Sequence, residues 1–189
     1  MRKQICKWAP LVVAAWLGFL AQAQATSLRR MSVAEMSRAA ELVVRARCVA
    51  QTVSWDAGEI WTFSTFDVKE VWKGSAREQF VVRLLGGRTA EVTSTVSGVP
   101  RFRAGEEVVL FLEPTKRGDF SVTSWMQGTF RIVRDARTGE EHVRQDTSLF
   151  PVFSPATRSF APSGIRDMPL MELRAQVAAA LRAPNGGAR

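Results

Sequence analysis

Histidine and cysteine are almost missing from this chain, which holds one of the first and two of the second in 189 residues. A zinc site draws three or four ligands from histidine, cysteine and carboxylates, so the lone His142 and Cys48 point away from a metal centre. The same scarcity weighs against catalysis. A Ser-His-Asp arrangement has only His142 to use, and this residue stands beside Glu140 and Glu141 in what reads as a polar, solvated turn. Cys48 is a poor nucleophile partner for it, because it lies in an apolar stretch and is expected to face inward. No phosphate-cradling glycine loop and no dinucleotide fingerprint occurs; Gly86-Gly87 reads as the end of a strand. The candidate acid pairs, Glu106 with Glu107 and Asp67 with Glu70, have no pattern that sets them across one cleft. The chain is therefore read as non-catalytic, with no cofactor and no metal.

A long hydrophobic run is also lacking. The longest stretch, Trp8 to Leu20, is broken by Pro10 and Gly18 and falls short of the roughly 18 to 20 residues that span a bilayer. A basic head of Arg2, Lys3 and Lys7 precedes it and Ala21-Gln22-Ala23-Gln24-Ala25 follows, the layout of a cleavable signal peptide over residues 1–25. Ala23 and Ala25 straddle Gln24 in an A-x-A arrangement, which predicts a cut between Ala25 and Thr26, with a cut before Gln24 as the alternative. Cys6 precedes the apolar core, so no lipid attachment is implied. The mature protein is expected in the periplasm or outside the cell, with no transmembrane anchor. Loss of Cys6 leaves Cys48 without an intramolecular partner, although that compartment permits disulfides. Cys48 then reads as a small buried hydrophobe, with an intermolecular disulfide as the alternative. The leader takes three basic residues and no acid from totals of 26 and 18, leaving 23 against 18. Such a balance keeps a small domain soluble and can favour anionic surfaces.

What is present is a run of strand patterns between two helices. Ser32-Val33-Ala34-Glu35 is a capping box opening a short helix through Met36, Ala39 and Ala40. From Leu42 to Trp55 the period drops to two, with Val44, Ala46, Cys48 and Ala50 on one face and Arg45, Arg47 and Gln51 on the other. Small residues facing inward suit a tightly curved sheet or a narrow barrel. Asp56-Ala57-Gly58 signals a turn into an antiparallel strand from Ile60 to Trp72, in which the parity change between Val68 and Val71 predicts a bulge near Lys69-Glu70. A third strand, Phe80 to Leu85, completes a meander. Arg88 to Ala104 reads mostly as loop. Glu107 to Glu113 alternates two apolar faces and is expected to be covered on both sides. Strands over Phe120–Met126 and Thr129–Arg134 follow, with a short one at Glu141–Arg144. Beyond Gln145 prolines mark an irregular wrap. The closing helix is capped by Asp167, with Pro169 in its first turn and Leu170, Leu173, Val177 and Leu181 as its apolar stripe. Residues Asn185 to Arg189 are expected to fray. No repeat or linker divides the mature chain, read as a barrel domain over 26–145 and a wrap with its helix over 146–189.

The segments AELVVRAR (Ala40 to Arg47), VWKGS (Val71 to Ser75) and FRAGEEVVLFLEP (Phe102 to Pro114) resemble the inhibitory domain of tissue inhibitors of metalloproteinases and the wider netrin-like group, a pattern that also occurs in secreted bacterial proteins. The resemblance covers about residues 38–135. It implies a mainly β fold: a small OB-like, Greek-key barrel of five to seven strands, with the short N-terminal helix and the C-terminal helix packed on it. It does not carry the family's inhibitory mechanism, which uses an amino-terminal cysteine on the protease zinc, since Thr26 or Gln24 would come first here. The family's disulfide scaffold is missing too.

Two binding readings follow. The first is an exported protein-interaction module with a protein partner in the envelope or outside the cell. The second is a binder of polyanions or single-stranded nucleic acid, drawn from the OB-like fold, the basic balance and the aromatics Trp55, Trp61, Phe63 and Trp72; export makes nucleic acid the weaker partner. A protease inhibitor without the chelating cysteine is a further alternative. The candidate interaction surface comprises Arg88, Arg101 and Arg103 from one loop, with Trp55 and Trp61.

Overall fold

The computed structural model describes residues 29–147, 151–154, 157–162 and 164–183. The expected leader, its cut between Ala25 and Thr26 and the terminal Asn185 to Arg189 lie outside these residues. Among the described residues no helix is long and apolar enough to cross a membrane. The described residues are mainly β, with one large mixed sheet and two α-helices.

Helix α1 (Val33–Ala39) opens on the capping box: Ser32 Oγ accepts from the Glu35 N–H at 3.2 Å, and the Glu35 carboxylate accepts from the Ser32 N–H at 2.8 Å. The bonds from Ser32, with Arg29 adding, hold the Glu35 carboxyl below its usual range. The chain then runs through β1 (Leu42–Asp56), β2 (Glu59–Lys73) and β3 (Gln79–Leu85) as the expected meander. Arg45 faces Glu70 and Ala46 faces Val68, so Lys69 is the extra residue of a bulge where the parity change predicted one. Val71 nevertheless stays 38% exposed, and the apolar contact at that end comes from Trp72. Of the two other shifts in this pairing, one skips Trp72 and one skips Val49, with Cys48 opposite Phe66 and Ala50 opposite Thr65. The latter corrects the expected inward row, because Val44, Ala46 and Cys48 are fully buried while Ala50 turns to solvent.

The stretch read as loop contains one small ladder, β4 (Gly87–Arg88) with β5 (Thr93–Ser94). Strand β6 (Glu107–Pro114) is covered on both sides as expected, with Val108, Val109, Leu110, Phe111 and Leu112 all at 0% exposure. Strand β7 is Phe120–Val122 rather than Phe120–Met126. Ser124 and Trp125 adopt left-handed backbone, φ 53° and 57°, and turn the chain into a 3-10 segment at Trp125–Gly128. Strands β8 (Thr129–Arg134) and β9 (Glu141–Gln145) follow. The region read as an irregular wrap holds a hairpin, β10 (Pro151–Ser154) with β11 (Ser159–Pro162), and a short β12 (Met168–Pro169) on β9.

Helix α2 (Leu170–Arg182) starts after Pro169, which occupies the cap position, so Asp167 does not cap it. Its inner stripe is Leu170, Leu173, Val177 and Ala180; Leu181 is 38% exposed, one position off that arc.

The sheet order is β1-β2-β3-β7-β6-β8-β9-β12, and β6 also pairs with β1 from Leu42 to Arg47. The pairings therefore run β1-β2-β3-β7-β6 and back to β1, antiparallel except for the parallel bridge of Val82 with Phe120. Two apolar clusters lie against β1 and β6. One gathers Ala46, Cys48, Phe66, Val82 and Leu110; the other lies under the helices, where Val43, Phe111 and Phe130 meet Met36 and Leu173.

Candidate interaction surface

Past Arg47, β1 outruns its neighbour β6. Cys48 is the last residue held on that side, donating its N–H to the Glu106 carbonyl at 2.9 Å and accepting from the Gly105 N–H at 2.8 Å. From Val49 to Asp56 the strand pairs only with β2 among the described residues. Ala57 and Gly58 both have positive φ, 53° and 84°, which makes the turn type I′. Asp56 and Glu59 then form the hydrogen-bonded pair beside it, and the alternation of an antiparallel ladder aims the N–H and C=O of Trp55, Val53 and Gln51 away from β2. No residue from Val49 to Trp55 is charged. Sheet edges are commonly blunted by lysine, proline or inward charge, and this one is bare, ending on Trp55 at 59% exposure.

The outer face of β2 and β3 carries a different arrangement. The Arg83 guanidinium lies 4.9 Å from the Trp61 ring centre and 5.0 Å from that of Phe63. It donates to Asp119 at 2.9 Å and to Asp56 at 2.8 Å, and Asp56 also receives Arg117. Arg117, then Arg83, hold the Asp56 carboxyl below its usual range. Burial opposes the charge of Arg83, but Asp119 and Asp56 outweigh it and raise its pKa. The two rings are thus capped by a cation that is itself neutralised.

Arg88 and Arg101 line one hollow of about 240 Å³ that no carboxylate of the described residues lines, and the Arg101 guanidinium bonds Thr95 Oγ1 at 3.3 Å. Trp61 and Trp125 line a second hollow of about 200 Å³, sharing Leu84, Leu85, Val99 and Pro100 with the first. Arg103 lines neither: it is exposed, and its N–H donates to Glu106 at 3.0 Å. Of the five surface residues expected from sequence, Arg88 and Arg101 come together and Trp61 stands across a shared wall. Trp55 lies at the hairpin tip. Trp72, named among the aromatics of the second binding reading, is half-buried against the helical cluster. Arg83 and Trp125 were not expected here. Arg83 was detectable as the outward position of QFVVRLL, whereas nothing local marks Trp125.

His142 is not in a turn. It lies on β9 with its side chain 29% exposed and Nδ1 2.8 Å from Asp167 Oδ1. Among the described residues no hydroxyl or thiol lines the hollow beside this pair, so none of them supplies the nucleophile of a triad there. Burial, and then the Glu106 carboxylate, push the Cys48 thiol up, away from the reactive thiolate. Among the described residues no group of three or more His, Cys, Asp and Glu side chains could hold a metal ion. No protein-family model matches the chain, and no curated protein matches it.

Proposed function

We propose that this chain is an exported, non-catalytic protein-interaction module built on an OB-like Greek-key barrel of the netrin-like kind. The barrel reading draws support from the return of the pairings to β1 and from the small side chains of Ala46 and Cys48 inside that ring. One observation carries the function: the bare, uncharged outer edge of β1 from Val49 to Trp55, which offers backbone hydrogen bonds to another extended chain. The capped state of Trp61 and Phe63 speaks against a stacking platform for single strands, which needs free ring faces. The polyanion reading keeps one feature in its favour, the hollow shared by Arg88 and Arg101 without a carboxylate in its lining. Retention of envelope proteins and of heparin on immobilised mature chain, measured at low and high salt, separates the two. A module retains a discrete protein at both salt levels. Heparin retention that collapses with salt, without such a protein, would replace it with the polyanion reading.

A further inference from the structure

We infer that the open edge of β1 is a self-pairing interface, joining two copies of this chain antiparallel about a two-fold axis at Val53. The inference rests on the interaction-module reading and names its partner. Gln51, Val53 and Trp55 are the alternate residues whose backbone groups point outward, and Val53 is their midpoint. Antiparallel apposition about that midpoint sets Gln51 against the partner's Trp55 and Val53 against the partner's Val53, forming about six interchain hydrogen bonds. A two-fold interface requires a self-complementary surface. Here valine meets valine, and each Trp55, 59% exposed in the single chain, reaches diagonally over the other copy's Val53. On the opposite sheet face Thr52 stands across from the partner's Ser54, hydroxyl against hydroxyl.

Charge fits the same pairing. The first ionised residues beyond the edge are Arg47 at one end and Asp56 at the other. Antiparallel packing brings Arg47 of each copy toward the hairpin tip of the other, where Asp56 is already held by Arg83 and Arg117 and the exposed Glu59 is the carboxylate that Arg47 approaches. The Arg47 side chain is exposed and makes a single hydrogen bond, to the Gly105 carbonyl at 3.3 Å, so it is free to turn.

The test uses the mature chain, residues 26–189, in sedimentation across a concentration range. The wild type is expected to form a dimer. Thr52 and Ser54 are both exposed, so the double variants T52K/S54K and T52E/S54E should fold with unchanged circular dichroism. Each places like charges across the axis and should weaken the dimer about a hundredfold. Mixing the two should restore dimers that contain one copy of each, counted by native mass spectrometry. Three outcomes overturn the inference: a wild type that is monomeric throughout, a dimer that neither double variant weakens, or folded monomeric variants that fail to pair when mixed. A monomeric wild type that still retains a discrete envelope protein overturns the self-pairing alone. A monomeric wild type that retains none overturns the module reading with it.

Discussion

The inner and outer halves of the β1–β2 hairpin share one ladder and one pair of strands, yet they are held in opposite ways. From Leu42 to Arg47, β1 is paired on both edges and lies between two apolar clusters; Val43, Val44 and Ala46 are fully buried. From Val49 to Asp56 it is paired on one edge and mostly exposed. The dividing line is not drawn by β1 itself, whose residues favour strand throughout. It is drawn by β6, which begins at Glu107 and leaves nothing to pair with β1 beyond Cys48. Stability and availability for binding are therefore set by the length of a neighbour, which places a rigid half and an accessible half on one continuous element.

If the inner half carries the fold, damage there should be severe. Phe111 is fully buried on β6, with its ring 5.5 Å from that of Phe130. Phe111→Ala is expected to cost about 3 to 5 kcal/mol in chemical denaturation of the mature chain, the usual range for a buried aromatic. A cost below about 1 kcal/mol would break the comparison, since Phe111 would then be no better held than a surface residue.

Cys48 marks the boundary between the halves. It is buried, and its thiol is pushed up by burial and by Glu106. Labelling by a thiol reagent should be on the order of a hundredfold slower in the native protein than in denaturant, because reaction waits on opening. Fast native labelling would move the boundary inward and show that the open half extends past Val49.

The charged network over the inner half gives a pH-dependent probe. Arg45 reaches Glu141 at 2.8 and 2.9 Å and Glu107 at 2.8 Å, and Arg134 reaches Glu141 at 2.8 Å. Arg45, then Arg134, depress the Glu141 pKa in the folded protein. A depressed carboxylate contributes stability that is present above its unfolded pKa of about 4.3 and is lost as pH falls through the folded value. Glu141→Gln should therefore cost about 1 kcal/mol at neutral pH, the value of a charged hydrogen bond reduced by solvent screening, and the gap to wild type should close in acid. A gap that stays constant with pH would assign the loss to packing rather than charge.

The parts of this fold that were legible in sequence are those decided within a few residues. The capping box at Ser32 and Glu35, the bulge at Lys69 and the two-faced alternation of β6 all appear where the local pattern put them. What was not legible depends on distant partners. Ala50 was placed inside because its parity matches Cys48, and only the skipped residue at Val49 turns it out. Strand β7 was read four residues too long because the left-handed backbone at Ser124 and Trp125 has no glycine to announce it. The same holds for the surface: Trp61 and Phe63 stood among the aromatics of the nucleic-acid reading, and Arg83, fixed by Asp56 and Asp119, caps them.

The smallest expected effect tests the outer half alone. Ala57 holds φ 53° at the first position of the type I′ turn, where asparagine followed by glycine is the favoured pair, and Gly58 already supplies the second. Alanine in left-handed backbone has no side-chain hydrogen bond to offset its strain, whereas asparagine tolerates that region. Ala57→Asn should stabilise the turn by about 0.5 kcal/mol. The gain belongs to the ladder nearest the turn, so amide exchange of Thr52, Ser54, Asp56, Glu59 and Trp61, whose N–H groups lie inside that ladder, should slow by about twofold. The exchange of Val43 to Ala46 and of β6, which opens only with both apolar clusters, should slow by no more than the same factor, from a much lower starting rate. Starting rates that match in both halves would mean that the hairpin opens as one unit, and the open edge of β1 would then be as firmly held as the strand beneath the helices.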